Sequence, residues 1–328
     1  MNLRSLIVQT LGHLCVDATC AAIVISQTSV LSETFAFFIF YNFLAFCLQP
    51  FAGLALDTIK KTTSQQYILI AFTLLLLAFI PTFNLWIRVL LVGIGNCLFH
   101  TGAGALVLTQ SNKKLTHLGI FVSSGAVGLM LGTVFAHSII CHTILLMALV
   151  ALLVLNIHIP SKRPHLPSSK IYWLPVFLLC LCITIRSFFG FMPLTHFVET
   201  PWSAVLITMA VFLGKSSGGI LCDRFGIQKT VIVSTIFVIS LFLLSLNSPY
   251  LWAIVQIIVN LSMPITLYLM WQAIPRYPAF SFGLAACCLV IGLLATFLVM
   301  NIEIEPIYLL FLFVLNSGLI LFSERKVK

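Results

Sequence analysis

Asp17 stands one helical turn after His13 inside an apolar run that extends from about residue 6 to residue 28. A charged group at the middle of a bilayer costs roughly 2.5 to 3.5 kcal/mol even on insertion scales, so a carboxylate there is expected to be paired, hydrated or functional. Three further polar sets interrupt apolar runs in the same way: Asn96 with His100, Arg186, and Gln256 with Asn260. The pairs His13/Asp17, Asn96/His100 and Gln256/Asn260 are spaced i, i+4, which puts each pair on one helix face. Arginine keeps its proton at any workable pH, whereas a carboxylate can be moved either way by burial or by a neighbouring cation. Of Asp17 and Arg186, only Asp17 can therefore carry a proton, with His13 and His100 as the imidazoles that could assist it. Arg186 could stabilise Asp17, form a permanent structural ion pair with it, or hold an anionic substrate group. Two His and an Asp could also bind a divalent ion. No ligand spacing defines such a site, so neither a metal nor a cofactor is expected. No nucleophile with oriented partners stands out either, which argues against an enzyme.

The elements that must carry these residues follow from composition. Hydrophobic residues make up 61% of the 328 residues and charged residues 8%, which excludes a soluble globular class and indicates an all-α polytopic membrane protein. A span needs about 20 apolar residues. The chain divides into twelve, near 6–28, 33–56, 66–83, 86–109, 116–136, 139–157, 172–197, 203–221, 230–247, 250–272, 280–299 and 305–322. The longest polar segment, His158 to Lys170, contains Pro160, Pro164 and Pro167 and reads as an extended tether. The expected organisation is a six-helix bundle over 1–157, a linker over 158–171 and a second six-helix bundle over 172–328.

Net charge is +9, but its placement indicates topology rather than nucleic-acid binding. Of 17 Lys and Arg, all but Arg88, Arg186 and Lys215 fall at the start, in alternate loops or in the tail, while Glu33, Glu199, Glu303 and Glu305 occupy the opposite loops. The positive-inside bias then puts both termini in the cytoplasm, in a bacterial inner membrane. His13 and Asp17 interrupt the first apolar run, so it is read as a span and not as a cleaved signal. The ten cysteines lie almost entirely in apolar runs without metal-ligand spacing and read as small packing residues.

Two loops echo each other across the halves. Gly218 to Thr230 reads G-G-I-L-C-D-R-F-G-I-Q-K-T, Phe51 to Lys61 reads F-A-G-L-A-L-D-T-I-K-K, and Asp57 and Asp223 lie 166 positions apart. At Gly219, Leu221, Asp223, Arg224 and Gly226 the sequence resembles the major facilitator superfamily, whose signature loop reads roughly G-x-L-x-D-R-x-G-R-R. Ile227 and Gln228 depart from it, and the first copy lacks the second glycine.

This resemblance implies two pseudo-symmetric six-helix bundles working by alternating access, most simply as a monomer. It implies a cytoplasmic gate at Gly53, Asp57, Gly219, Asp223, Arg224 and Gly226, and a cavity lined by helices one, four, seven and ten. Those are the helices that carry His13 and Asp17, Asn96 and His100, Arg186, and Gln256 and Asn260. The segment G-N-x-x-F-H from Gly95 resembles the fosmidomycin-resistance-like branch. The small residues Ser123, Ser124, Gly125, Gly128 and Gly132 resemble a degraded antiporter motif lacking its proline, and Gly283, Ala285, Ala286 and Gly292 are their repeat-related partners.

The expected function is proton-coupled export of a small organic or drug-like molecule, with protons and membrane lipids as the other partners. Alternatives are proton-coupled uptake of a small anion or zwitterion, divalent-metal transport, and a non-transporting membrane sensor. Pro193 and Pro264 are expected to break helices seven and ten beside the cavity. Lys215 is expected to snorkel. Trp271 is expected at an interface, and His196 with Glu199 at a wet outer rim.

Overall fold

The computed structural model describes residues 1–26, 31–159, 170–191, 201–242, 249–299 and 305–328, and every regular element among them is helical. Pro193, His196, Glu199, Glu303 and the linker prolines lie outside the described residues.

In chain order the helices are α1 (Leu3–Ser26), α2 (Leu31–Asn42), a π-helical turn (Phe43–Cys47), α3 (Gln49–Thr58), α4 (Ser64–Leu77), α5 (Leu85–Gln110), α6 (Leu115–Val134) and α7 (Ile139–Ile157). They continue as α8 (Trp173–Phe191), α9 (Pro201–Phe225), α10 (Ile227–Phe242), α11 (Pro249–Asn260), α12 (Ser262–Ala273), α13 (Pro278–Leu298) and α14 (Pro306–Val327). Joining α2 to α3 through the π turn, and α11 to α12, leaves 10 helices among the described residues long and apolar enough to cross a membrane. With the shorter α4 and α10, of 14 and 16 residues, they fill the twelve expected places.

The break between α11 and α12 has a local cause. Pro264 has no amide hydrogen and its ring clashes with the carbonyl one turn earlier. At Leu261 the helix tightens, and the Leu261 amide is shared between the carbonyls of Ile257 and Ile258, both at 3.2 Å.

Several helices cap themselves. Thr63 and Gln66 form a reciprocal capping box on α4, Asn84 caps α5 and Ser138 caps α7. Helices α6 and α13 follow Lys114 and Tyr277, which have no capping oxygen, so their first amides must find acceptors elsewhere.

Contacts divide the chain into two compact units. One comprises Met1–Asn112, Ser124–Leu166 and Arg276–Cys287; the other comprises Lys113–Ser123, Pro167–Pro275 and Cys288–Lys328. In the first unit α5 is the central helix: Asn96, Phe99, Thr101 and Ala103 are fully buried, and a Cβ on Gly95 would reach the Ala71 carbonyl of α4 at 3.2 Å. The small face of α6 packs on α1, with Gly125 against His13 and Asp17, Gly128 against the Leu14 carbonyl and Gly132 against the Ala18 carbonyl. Backbones approach this closely only where side chains are absent. In the second unit Gly292 of α13 packs in the same way on the Thr184 carbonyl of α8, and Phe189, Val238, Trp252, Val255 and Phe313 form a shared apolar core.

Candidate functional site

Helices α1 and α5 bring four of the expected residues to one point in the first unit. His13 Nε2 lies 3.2 Å from Asp17 Oδ2, and His100 Nε2 lies 3.5 Å from Asp17 Oδ1. Asn96 Nδ2 donates to Asp17 Oδ1 at 3.1 Å. The two imidazoles meet edge to face with centroids 4.6 Å apart, and the rings of Phe99 and Phe46 stand 5.7 and 6.4 Å from His100. The histidine side chains are about nine-tenths buried, whereas 18% of the Asp17 side chain remains accessible. Glycine at 125 makes this possible, because a Cβ there would run into both the Asp17 carboxylate and the His13 ring.

The hydrogen-bond pattern fixes where hydrogen must sit. His100 Nδ1 faces the Asn96 carbonyl at 3.0 Å, and since a carbonyl only accepts, Nδ1 is the protonated nitrogen. Nε2 is then directed at Asp17. A lone pair facing a carboxylate oxygen is repulsive, so a hydrogen lies between them, borne by the imidazolium or by the carboxyl. The geometry leaves room for one hydrogen between Asp17 and His100.

Cys20, three residues beyond Asp17, joins the same surface. Its sulphur accepts from Asn96 Nδ2 at 3.7 Å and its thiol donates to the Val92 carbonyl at 3.6 Å. Sequence reasoning missed it, although its position i+3 from Asp17 was the available signal.

Arg186 lies in the second unit on α8 and is 5% exposed. Its Nη1 donates to Thr266 Oγ1 at 2.9 Å, and among the described residues of its own unit no carboxylate lies within 4 Å. Gln256 and Asn260 share α11, where Asn260 Nδ2 donates to the carbonyl and the side-chain oxygen of Gln256 at 2.9 and 3.2 Å. Gln256 Nε2 is buried without a hydrogen-bond partner. Trp271 Nε1 is likewise buried and unpartnered, and its ring meets Tyr268.

The echoed loops resolve into two helix caps. Asp57 accepts from the amides of Ala279 and Phe280 at 3.2 and 2.9 Å, and so supplies the acceptor that Tyr277 cannot offer α13. Asp223 accepts from the amides of Leu115 and Thr116 at 2.9 Å each and from Thr116 Oγ1 at 2.6 Å, and does the same for α6. Both place an anion at a positive helix terminus. Glycines pack beside each cap: Gly53 against Ala279 and Phe280, Gly219 against Leu115 and Thr116, Gly283 against Gln49, and Gly119 against Lys215.

Gly226 has φ +84°, the left-handed conformation that ends α9 and lets α10 start one residue later. Lys60 stands at the equivalent place of the first copy, where the link from α3 to α4 runs over the five residues Ile59 to Thr63. Arg224 is exposed and lies over the Phe225 ring at 5.3 Å, outside the cap itself.

No protein-family model and no curated protein matches the chain. Solved structures do. A crystal structure of the major facilitator superfamily transporter FucP in the outward conformation is similar with a TM-score of 0.72 at 14% identity, covering 99% of both chains. A variant of the E. coli fucose:proton symporter FucP gives 0.70 at 12% identity, covering 98% of this chain and 97% of that one. A bacterial homologue of the iron transporter ferroportin in the outward-facing state gives 0.62 at 14% identity, covering 98% of each. The chain is a multi-pass integral membrane protein with, over nearly its whole length, the fold of the major facilitator superfamily transporters.

Proposed function

We propose that the protein is a secondary active transporter that couples solute movement to protons and exports a small organic or drug-like molecule. The observation that carries the coupling is the buried group of Asp17, His13 and His100, which requires a shared hydrogen and sits in a transporter fold. In this reading the halves 1–157 and 172–328 alternate in the side to which they open. The capping contacts of Asp57 and Asp223, flanked by Gly53, Gly219, Arg224 and Gly226, hold one of the two states. A tenfold shift between states needs only about 1.4 kcal/mol, less than the loss of one charged hydrogen bond. Export is supported by the helix-four G-N-x-x-F-H segment and by the glycine face of α6. The positive-inside distribution supports cytoplasmic termini in a bacterial inner membrane.

The test is proton movement in everted vesicles, reported by a pH-sensitive dye while a panel of metabolites and drugs is added. Compound-triggered proton efflux is expected from the wild type and not from Asp17→Asn. Retained pH-driven transport in the variant would sink the assignment of Asp17.

Arg186 favours a second reading, proton-coupled uptake of a small organic anion or zwitterion, with Gln256, Asn260 and Asn96 as polar contacts. A buried guanidinium with one hydroxyl partner in its own unit has donors to offer a carboxylate. Preference for anionic cargo, lost in Arg186→Gln and partly kept in Arg186→Lys, is the result this reading requires.

A further inference from the structure

We propose that His13, Asp17 and His100, with the side-chain oxygen of Asn96 as a fourth donor, form a binding site for a divalent transition-metal ion of the zinc and cobalt class. The inference deepens the transport reading, but it rests only on the arrangement of these side chains. The three residues each offer one ligand atom, and these atoms lie within 4.8 Å of one another. His13 Nε2 stands 3.2 Å from Asp17 Oδ2 and His100 Nε2 stands 3.5 Å from Asp17 Oδ1, each close to the edge of a tetrahedron with metal–ligand bonds of about 2.0 to 2.1 Å, but to different carboxylate oxygens. One ion would take both histidines either with the carboxylate chelating through both oxygens or after it turns to present a single one.

Two independent features point to a ligand. First, His100 Nδ1 is tied to the Asn96 carbonyl, which fixes the tautomer and directs the Nε2 lone pair at the place where the metal would sit. Metal-binding histidines are oriented by this kind of second hydrogen bond. Second, Asn96 is fully buried, its Nδ2 bonds Asp17, and its Oδ1 has no hydrogen-bond partner. Turning that amide over exchanges its nitrogen for its oxygen, and so offers the oxygen beside the carboxylate, a direction acceptable only with a cation between them.

Two imidazoles, one carboxylate and an amide oxygen suit zinc, cobalt or iron better than the all-oxygen shells of magnesium and calcium. The ion would occupy the space now held by the shared hydrogen. The accessible part of Asp17 gives it a way in, and Gly125 keeps α6 clear of the coordinating atoms.

The test uses the full chain in lipid nanodiscs, titrated with Co²⁺ alone. One equivalent is expected to give the visible d–d absorption of cobalt bound by nitrogen and oxygen donors, reversed by added Zn²⁺. His13→Gln, His100→Gln and Asp17→Asn should each weaken binding at least tenfold, with His142→Gln, on α7 and outside the group, unchanged. Retained helical circular dichroism and a monodisperse elution profile show that a variant is folded. Asn96→Asp should restore or tighten binding where Asn96→Ala weakens it. Absence of a stoichiometric cobalt signal, or binding that survives in both histidine variants, overturns the site. Intact proton flux without cobalt binding refutes the metal site alone, whereas cobalt binding with no proton or solute flux refutes the transport reading and leaves the site standing.

Discussion

The cap that Asp223 makes on α6 has a measurable size. Asp223 takes three hydrogen bonds, one from Leu115 on Oδ1 and two from Thr116 on Oδ2, and Asp57 accepts from the amides of Ala279 and Phe280, where Phe280 has no hydroxyl at the place of Thr116. In Asp223→Asn the amide does best with its oxygen toward Thr116, which leaves its NH2 facing the Leu115 amide, donor against donor. One charged bond is lost and two become neutral. With hydrogen bonds to charged groups contributing about 1.5 to 3 kcal/mol and the helix-terminal charge about 0.3 to 1, the cap loses about 2 to 4 kcal/mol. At the other cap, Asp57→Asn likewise sets an NH2 against one of the two amides of Ala279 and Phe280 and leaves the other bond neutral.

The readout is amide hydrogen exchange in nanodiscs, since a local opening is reported by the amides it frees. Exchange at Leu115 and Thr116 should quicken by at least about thirtyfold in Asp223→Asn, with Ala279 and Phe280 little changed, because about 1.4 kcal/mol is a factor of ten. Asp57→Asn should do the converse. Exchange at Leu115 and Thr116 that stays within about threefold of wild type would refute the capping argument.

Gly128→Leu should push α6 off α1, since even a Cβ at that position would stand 3.0 Å from the Leu14 Cα. Overpacking of this kind costs about 1 to 3 kcal/mol, visible as earlier thermal unfolding, whereas Gly190→Leu, where a Cβ meets nothing within 4 Å, should change little. Gly226→Ala should destabilise by about 1 to 2 kcal/mol through its left-handed backbone alone, and Gly226→Asn by less; equal melting of the two variants would show that the conformation is not what glycine serves there.

The helices were legible because long apolar runs and short polar breaks leave one arrangement, and all twelve places are filled. The residues of the candidate site stood out too, since Asp17, Arg186 and His100 are expensive in a membrane. Their grouping was less so. The pairing of His13 with Asp17 follows from one turn of helix, but the approach of His100 and Asn96 depends on how α5 crosses α1, which no local spacing encodes. The acidic residues of the echoed loops stood out as a pattern, yet their role as caps was hidden, because Asp57 and Asp223 act on helices far along the chain whose own first residues lack capping side chains. The π turn at Phe43–Cys47 left no trace in the sequence, its extra residue being accommodated where Leu44 lies against Gly93. The shorter link after α9 could be read from Gly226, and the longer one after α3 from the lysine in its place.

The bond between His100 Nδ1 and the Asn96 carbonyl has a mechanical side. That carbonyl belongs to the backbone of α5, where it is also the acceptor for the amide one turn on, so the imidazole ring leans on the hydrogen-bond ladder of the helix that carries it. Around this point α5 is lined with Gly93, Gly95, Gly102 and Gly104, which lie close against Leu44, Leu75, Ser64 and Phe282. In the proposed coupling, a hydrogen exchanged at Asp17 would act through His100 on the backbone of α5, a helix of 26 residues.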